Sequence, residues 1–251
     1  SGSAPKIWVQ SSAGRIVYHP ALTNSLKRGS LGVVLADQLD NLYSSTPLMR
    51  GTKYSALLVT MDQQFVAQSE IGGDSEEVRE QYLQLPIVSD RLIRHCHQAV
   101  VGEKNRLRAV NKLIALVQAG KSYDEGPKEV PEDHEATDYF FFEMDGAACS
   151  HFASALAVAC RIVGVPARVA TGFGYGTYDA GSMSYEVREK DSHAWTQVWF
   201  PEIGWVDFDP TPGRFSREPA VQKRESAQET LKRLKKRWET FKSNAESFVS
   251  R

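Results

Sequence analysis

The chain has 251 residues, 41% of them hydrophobic and 24% charged, and its formal net charge is −1 at pH 7. This composition is typical of an ordinary globular protein, long enough for one large domain or for a domain with a smaller companion. Because the net charge is close to zero, we expect no nucleic-acid partner. The three cysteines do not make a disulfide framework, and no apolar run is long enough to span a bilayer.

The first third of the chain predicts a small β-rich domain. Ser1, Gly2 and Ser3 look like an expression scar (residues 1–3), so we expect the chain to be a fragment of a longer protein. Residues 4–81 contain short runs of β-branched and aromatic residues between turn signals. No group in this part suggests a reaction.

Two amphipathic helices are predicted next. Ser89 is a favourable N-cap for a helix with apolar residues at helical spacing, and a second helix is predicted over residues 105–118. His95, Cys96 and His97 are consecutive, and consecutive side chains on a helix point about 100° apart. They cannot converge on one ion, so we predict no metal site.

The following segment is acidic and then aromatic. Residues 121–138 contain two prolines and show no periodicity, which predicts an exposed loop. Residues 139–142 are Tyr-Phe-Phe-Phe. They either pack in the core or form a wall of a substrate groove.

Residues 149–163 predict a buried helix, because small and apolar residues dominate on every side. Gly164 and Pro166 end it, and a strand is expected over residues 168–172. Cys149 falls in the first turn, where the helix dipole and the unpaired amides favour a thiolate. The alternative is that Cys149 is one more small buried hydrophobic residue.

A β-hairpin is predicted from residues 193–199 and 205–209, which have the composition of strands. A three-residue loop centred on Pro201 would place His193 directly opposite Asp209 on one face. Asp209 could then accept a hydrogen bond from one ring nitrogen of His193, leaving the other for a thiol proton. Alternatively, the histidine is solvated and the carboxylate caps a turn.

A glycine-rich stretch over residues 172–178 precedes this hairpin. It lacks the Lys-Ser/Thr of a phosphate loop, so we expect a loop at the mouth of a cleft. Tyr175 or Tyr178 could contact a substrate there. Residues 183–188 are expected to add a strand to the sheet that carries His193.

Residues 217–251 predict a basic amphipathic helix, in which apolar residues alternate by three and four among lysines and arginines. This helix either packs on its own domain or lies beside a membrane with its basic face toward anionic headgroups.

Four motifs together resemble the transglutaminase-like core, a branch of the papain-like cysteine enzymes, in their letters, order and separations. They are Cys-Ser-His-Phe-Ala-Ser-Ala at 149–155, Gly-Val-Pro-Ala-Arg at 164–168, His-Ala-Trp at 193–195, and Gly-Trp-Val-Asp-Phe-Asp-Pro-Thr at 204–211. The resemblance extends to the extracytoplasmic domains of bacterial multi-pass membrane proteins. The family usually has glycine two places before the cysteine, where this chain has Ala147.

The resemblance implies an α+β fold, with a papain-like core over residues 82–216 in which a buried helix starting at the cysteine packs on an antiparallel sheet. It implies that Cys149 is the nucleophile, His193 the base and Asp209 the orienting acid. Tyr175, Tyr178 and Trp195 are our candidate substrate-binding residues. We expect no cofactor, and we see no sign of an oligomer. The implied location is extracytoplasmic, in a membrane-anchored protein of the bacterial inner membrane.

Two functional hypotheses follow. In the first, the protein is a thiol acyl-transfer enzyme that acts on peptide or glutamine carbonyls through a Cys149 thioester, with hydrolysis favoured over transfer to an amine. In the second, it is a catalytically silent binding or scaffolding module that keeps the fold, since fold alone does not determine function.

Overall fold

A computed structural model of the chain describes residues 6–9, 23–27, 34–36, 41–58, 63–127, 129–174, 176–179, 181–182, 184–201 and 203–213. Helices and an antiparallel sheet enclose one main core, which confirms the α+β class. The chain divides into two compact units, Ser1–Pro212 and Gly213–Arg251. The helix predicted over residues 217–251 lies outside the described residues.

The N-terminal part is built from short antiparallel strands. They are β1 (Lys6–Trp8), β2 (Thr23–Lys27), β3 (Val34–Ala36), β4 (Leu42–Ser44) and β5 (Lys53–Leu58). Strand β5 lies between β1 and β2, and β3 pairs with β4. Val9, Leu48 and Tyr54 are buried together in a small cluster. The predicted boundary at residue 81 stays a prediction.

The helices of the described chain begin after this part. They are α1 (Gln63–Gln68), α2 (Glu76–Tyr82), α3 (Asp90–Ala99), α4 (Arg106–Gln118), α5 (Ala136–Glu143) and α6 (Cys149–Ile162). The side chain of Ser89 caps α3 by accepting an amide hydrogen bond, as the sequence predicts, and the side chain of Asn105 caps α4 in the same way.

Helix α5 corrects the prediction of a loop up to residue 138. The Glu135 carboxylate accepts hydrogen bonds from the amides of Thr137 and Asp138, so α5 has an N-cap that the loop-like composition hid. Phe140 is buried and its ring meets that of Phe152 edge to face at 5.2 Å. The aromatic run therefore serves mainly as core packing.

The main sheet has three antiparallel strands in the order β12-β11-β8: β8 (Ala167–Phe173), β11 (Ser192–Phe200) and β12 (Gly204–Phe208). Helix α6 packs on one face of this sheet, against β11 and β8. The Thr196 hydroxyl donates to the carbonyl of Ala153 at 2.9 Å, which ties the middle of the central strand to the helix.

The remaining strands are short. They are β6 (Ser122–Tyr123), which is parallel to β7 (Gly146–Ala147), and β9 (Thr177–Asp179), which pairs with β10 (Ser184–Glu186). The expectation that residues 183–188 join the sheet of His193 is wrong, because β10 pairs with β9 in a separate hairpin. In the described residues, β11 instead has β8 and β12 as its two neighbours.

Arg106, at the start of α4, is completely buried and joins three segments. Its guanidinium donates to both oxygens of the Asp74 carboxylate and to the carbonyls of Glu70, Gly72 and Trp199. These five contacts use all five N–H donors of the side chain. A buried charge is tolerated only with such partners, so this cluster holds residues 70–74 and the end of β11 against α4.

We expect Arg106→Ala to lower the free energy of unfolding by about 3–5 kcal/mol, because it leaves the Asp74 carboxylate buried without its partner. Urea denaturation followed by tryptophan fluorescence measures the change. The matched control is Arg108→Ala on the same helix. The Arg108 side chain is 68% exposed and pairs with Glu103, so its loss should cost no more than about 1 kcal/mol. Equal losses in the two variants would contradict this assignment.

Candidate active site

The register of the hairpin β11–β12 corrects one detail of the sequence prediction. Thr196 pairs with Phe208, and Phe200 pairs with Gly204, so the three-residue connection is centred on position 202 and not on Pro201. His193 is therefore not directly opposite Asp209. The register keeps the same parity, however, so both side chains remain on one face of the hairpin and meet diagonally.

His193 and Asp209 form a hydrogen-bonded pair. The distance from His193 Nε2 to Asp209 Oδ2 is 2.8 Å, and the two side chains are 5% and 25% exposed. The other carboxylate oxygen, Oδ1, accepts the amide N–H of Thr211 at 2.9 Å. The carboxylate thus both holds the imidazole and caps the turn at Pro210. The alternative of a solvated histidine is wrong, because His193 is buried.

The hydrogen bonds also set the ionisation of Asp209. Burial raises the pKa of this carboxyl group, but the hydrogen bonds from His193 and from the amide of Thr211 outweigh it. The net result is a pKa below the ordinary value, so Asp209 is anionic at neutral pH. An anionic carboxylate favours the tautomer of His193 in which Nε2 carries the proton and donates it to Asp209.

The order of the elements brings Cys149 to the end of the sheet where His193 lies. Helix α6 starts at Cys149 and ends near Gly164, where the chain turns back into β8. Strand β8 therefore runs back along the helix, and β11, which is antiparallel to β8, runs in the direction of α6. The start of β11 with His193 and the start of α6 with Cys149 then lie at one end.

The turn between α6 and β8 makes this reversal tight. Gly164 has φ of 80°, a conformation that side chains other than glycine rarely adopt. The amides of Gly164 and Val165 donate to the carbonyls of Arg161 and Cys160, which closes the end of the helix.

Helix α6 differs from its neighbours at its N-terminus. Side-chain oxygens cap α2, α3, α4 and α5 through Ser75, Ser89, Asn105 and Glu135. Residue Ala148 occupies the cap position of α6 and has no side-chain acceptor. The first amides of α6 are thus not used by a side-chain cap, which suits them to stabilise negative charge on Cys149 or on a substrate oxygen.

The segment before Cys149 is extended and firmly held. Ala147, which replaces the usual glycine, is buried in strand β7, and extended strand backbone is an ordinary conformation for alanine. Strand β6 pairs alongside β7, and the ammonium of Lys121 donates to the carbonyl of Met144 at 2.6 Å. Gly146 and Ala147 are therefore extended and do not form a tight turn.

The other ionisable groups near the helix are less suited to catalysis. Cys96 and Cys160 are fully buried, and burial, together with the nearby Asp138 carboxylate, raises the pKa of Cys96 to about 12. Burial also raises the pKa of Cys160. Burial lowers the pKa of His151, in the first turn of α6, despite the raising effect of a hydrogen bond to the Ala148 carbonyl. Cys149, half-buried at the helix start, is the most accessible of the three thiols.

The candidate substrate-binding residues have different surroundings. Tyr178 is 46% exposed on β9 and its ring lies 5.1 Å from that of Tyr185. The indole of Trp195 is half-buried and donates to Asp207 at 2.9 Å. Tyr175 lies outside the described residues. The described ranges contain no group of three His, Cys, Asp or Glu side chains that could hold a metal ion.

Sequence reasoning missed Asp207, which lies on the same face as Asp209. Its Oδ1 accepts hydrogen bonds from the Trp195 indole and from the amide of Gln197, both at 2.9 Å. The signal was the two-residue spacing from Asp209, which places both carboxylates on one face of a strand.

Part of the chain is similar in sequence to known proteins. Residues 94–210 match the sequence model of the transglutaminase-like superfamily. The chain is 42% identical over 85 residues to the uncharacterised protein YebA of Bacillus subtilis, and 38% identical over 77 residues to a protein-glutamine gamma-glutamyltransferase of Pseudomonas aeruginosa. These matches cover 32% and 31% of this chain but only 12% of each relative.

Solved structures show the same fold. The periplasmic domain of TgpA from P. aeruginosa superposes with a TM-score of 0.63 at 21% identity, covering 84% of this chain and 71% of that one. The same domain bound to ethylmercury gives a TM-score of 0.62 at 22% identity over 82% of this chain and 70% of that one. None of the residues that the structure describes forms a helix long and apolar enough to cross a membrane. Over residues 94–210, therefore, this chain carries a core domain of the transglutaminase-like superfamily.

Proposed function

We propose that this domain is a cysteine hydrolase of transglutaminase-like type, which cleaves peptide or glutamine amide bonds through a thioester on Cys149. The observation that carries the proposal is the His193–Asp209 hydrogen bond of 2.8 Å, formed at the end of the sheet where the uncapped helix α6 begins with Cys149. A nucleophile, a base and an orienting acid are the parts that nucleophilic acyl transfer needs.

The reaction begins when His193 takes the thiol proton and the Cys149 thiolate adds to a carboxamide carbon. The first amides of α6 stabilise the negative charge that develops on the carbonyl oxygen. His193 then gives its proton to the leaving amine or ammonia as the C–N bond breaks, and a thioester remains on Cys149. Water attacks the thioester, the carboxylic acid leaves, and the thiol is restored.

Hydrolysis is the favoured outcome, because water at about 55 M outcompetes an amine unless a dedicated site concentrates the amine. The second candidate is transfer to an amine, which the name of the P. aeruginosa relative supports. Incubation of the protein with an N-blocked Gln-Gly dipeptide, with and without hydroxylamine, distinguishes hydrolysis from transfer to an amine. We expect ammonia and the glutamate product in both reactions, with Cys149→Ala inactive. A hydroxamate product that dominates at millimolar hydroxylamine would favour transferase activity.

The extracytoplasmic location in a membrane-anchored parent protein belongs to the same proposal. It is supported by the likeness in fold to a domain that is periplasmic in P. aeruginosa. Protein or peptide chains in that compartment are the proposed substrates, and Tyr178, exposed on β9, is proposed to contact them.

We expect iodoacetamide to alkylate Cys149 in the folded protein at pH 6 at a rate within about tenfold of that at pH 9, because the site favours the thiolate. An ordinary thiol, with a pKa of about 8.5, would react roughly 200-fold more slowly at pH 6 than at pH 9. Peptide mass spectrometry assigns the reaction, and the buried Cys96 and Cys160 should not react.

The matched variants for this experiment are histidine substitutions at two places. His193→Asn should give the profile of an ordinary thiol, whereas His97→Asn, on the exposed side of α3, should leave the wild-type profile unchanged. An ordinary profile in the wild-type protein would reject the enzyme and favour a silent binding module.

The lowered pKa of Asp209 predicts an acid dependence of stability. A carboxyl group whose pKa is lower in the folded state contributes stability above its unfolded pKa of about 3.9, and the contribution is lost as the pH falls through the folded pKa. The difference in unfolding free energy between wild type and Asp209→Asn should be constant between about pH 5 and 6 and should shrink below about pH 4. Urea titrations from pH 3 to 6 measure it, and a difference that grows on acidification would contradict the assigned pairing.

A further inference from the structure

Trp195 lies flat across all three strands of the main sheet. Its indole Nε1 donates to Asp207 Oδ1 on β12, at 2.9 Å. The opposite edge of the ring system lies over Gly172 on β8, where a Cβ atom would be only 2.9 Å from Cη2 of the indole. The ring therefore spans from one outer strand to the other across β11, which carries it.

Gly172 provides the space for this arrangement. It pairs directly with His193 in the β8–β11 register, so a side chain at position 172 would stand beside the imidazole on the same face. The φ of Gly172 is not in the left-handed region, so the backbone does not require glycine. What requires glycine here is the close approach of the Trp195 ring.

Asp207 holds the other end of the ring. Its Oδ1 also accepts from Gln197 Nε2 at 2.9 Å, and Gln197 Oε1 accepts from Arg168 Nε at 2.8 Å. A carboxylate that accepts two side-chain hydrogen bonds, one of them braced by an arginine, has little freedom to turn. The indole is thus fixed by a hydrogen bond on β12 and by steric fit on β8.

The imidazole of His193 lies next to this fixed ring. The two ring centroids are 6.2 Å apart and the ring planes differ by 25°. We propose that Trp195, Asp207 and Gly172 act together as positioning residues, which confine the His193 imidazole to the orientation in which Nε2 faces Asp209. The inference rests on the proposed function, and it assigns Trp195 a role in positioning the base.

The consequence for catalysis is one of orientation. A histidine at the end of a strand can rotate about two side-chain bonds, and each misdirected rotamer turns its nitrogens away from both Asp209 and the thiol. The Trp195 indole on one side of the His193 ring excludes those rotamers before the substrate binds. If Trp195 orients the base and does not bind the substrate, loss of its contact with His193 should lower kcat with little change in KM.

The test uses Gly172→Ala, whose methyl group would displace the indole, and Trp195→Phe, which removes its N–H and its outer ring. The first readout is the ¹⁵N-edited proton NMR signal of the His193 Nε2–H, whose exchange with water reports how well the bond to Asp209 is held. We expect exchange to accelerate about tenfold in both variants, and kcat for the N-blocked Gln-Gly dipeptide to fall about tenfold with KM within about twofold.

Matched variants separate positioning from general stability. Trp199→Phe changes a tryptophan on the same face of β11, whose ring packs on Trp205 at 5.3 Å, and should leave the Nε2–H signal unchanged. Asp207→Asn keeps an acceptor oxygen for the indole, so its His193 Nε2–H should exchange at nearly the wild-type rate. Asp207→Ala removes that acceptor and should accelerate the exchange.

The NMR readout needs no turnover, so it separates this inference from the proposed function. Unchanged exchange of the Nε2–H in Gly172→Ala and Trp195→Phe would overturn the positioning role even in an active enzyme. Faster exchange in those two variants, with Trp199→Phe unchanged, would support the positioning role. If the wild-type protein then showed no turnover, the proposed reaction would be rejected while the positioning role stood.

Discussion

The packing of α6 on the sheet is the constraint on which the rest of the structure depends. Nine of the fourteen residues of this helix are buried, and four of those nine are alanines. Small side chains let the helix approach β11 closely, and the Thr196 hydroxyl bonds directly to a helix carbonyl. The most accessible part of the helix is its first turn, where Ser150 is exposed and Cys149 and His151 are half-buried. Farther along, Ser154 is exposed and Arg161 is half-buried. Burial of the helix therefore determines where a reactive thiol can be reached.

Two charged side chains in this domain, Arg106 and Asp209, have hydrogen-bond partners that join distant segments. Arg106 joins residues 70–74 to the end of β11, and Asp209 joins the start of β11 to the turn after β12. The cost of burying these charges makes the arrangement specific, since a slipped register would leave them unpaired. The two clusters hold opposite ends of β11.

The two faces of the main sheet have different surroundings. One face packs on α6 through Ala194, Thr196, Val198 and Phe200, which are buried. The other face carries polar and aromatic side chains: Trp205 meets Tyr82 of α2 at 4.6 Å, and the Arg168 guanidinium lies 4.1 Å above the Trp205 ring. On this face, hydrogen bonds run from Arg168 through Gln197 and Asp207 to Trp195, whose ring centroid lies 6.2 Å from that of His193.

The sequence by itself determined the buried helix, its start at Cys149 and its end before Gly164, the helices α3 and α4 with the Ser89 cap of α3, and the hairpin with His193 and Asp209 on one face. These features depend on residues close together in the chain, such as a capping side chain or the spacing of apolar residues, so local physics is sufficient to predict them. Tertiary structure decided the register of that hairpin, the separate pairing of β9 with β10, the extended course of residues 146–147, and the placement of Trp195 between Asp207 and Gly172. Each of these depends on contacts between segments far apart in sequence, and the free-energy difference between neighbouring registers or pairings comes from packing that one strand alone does not encode.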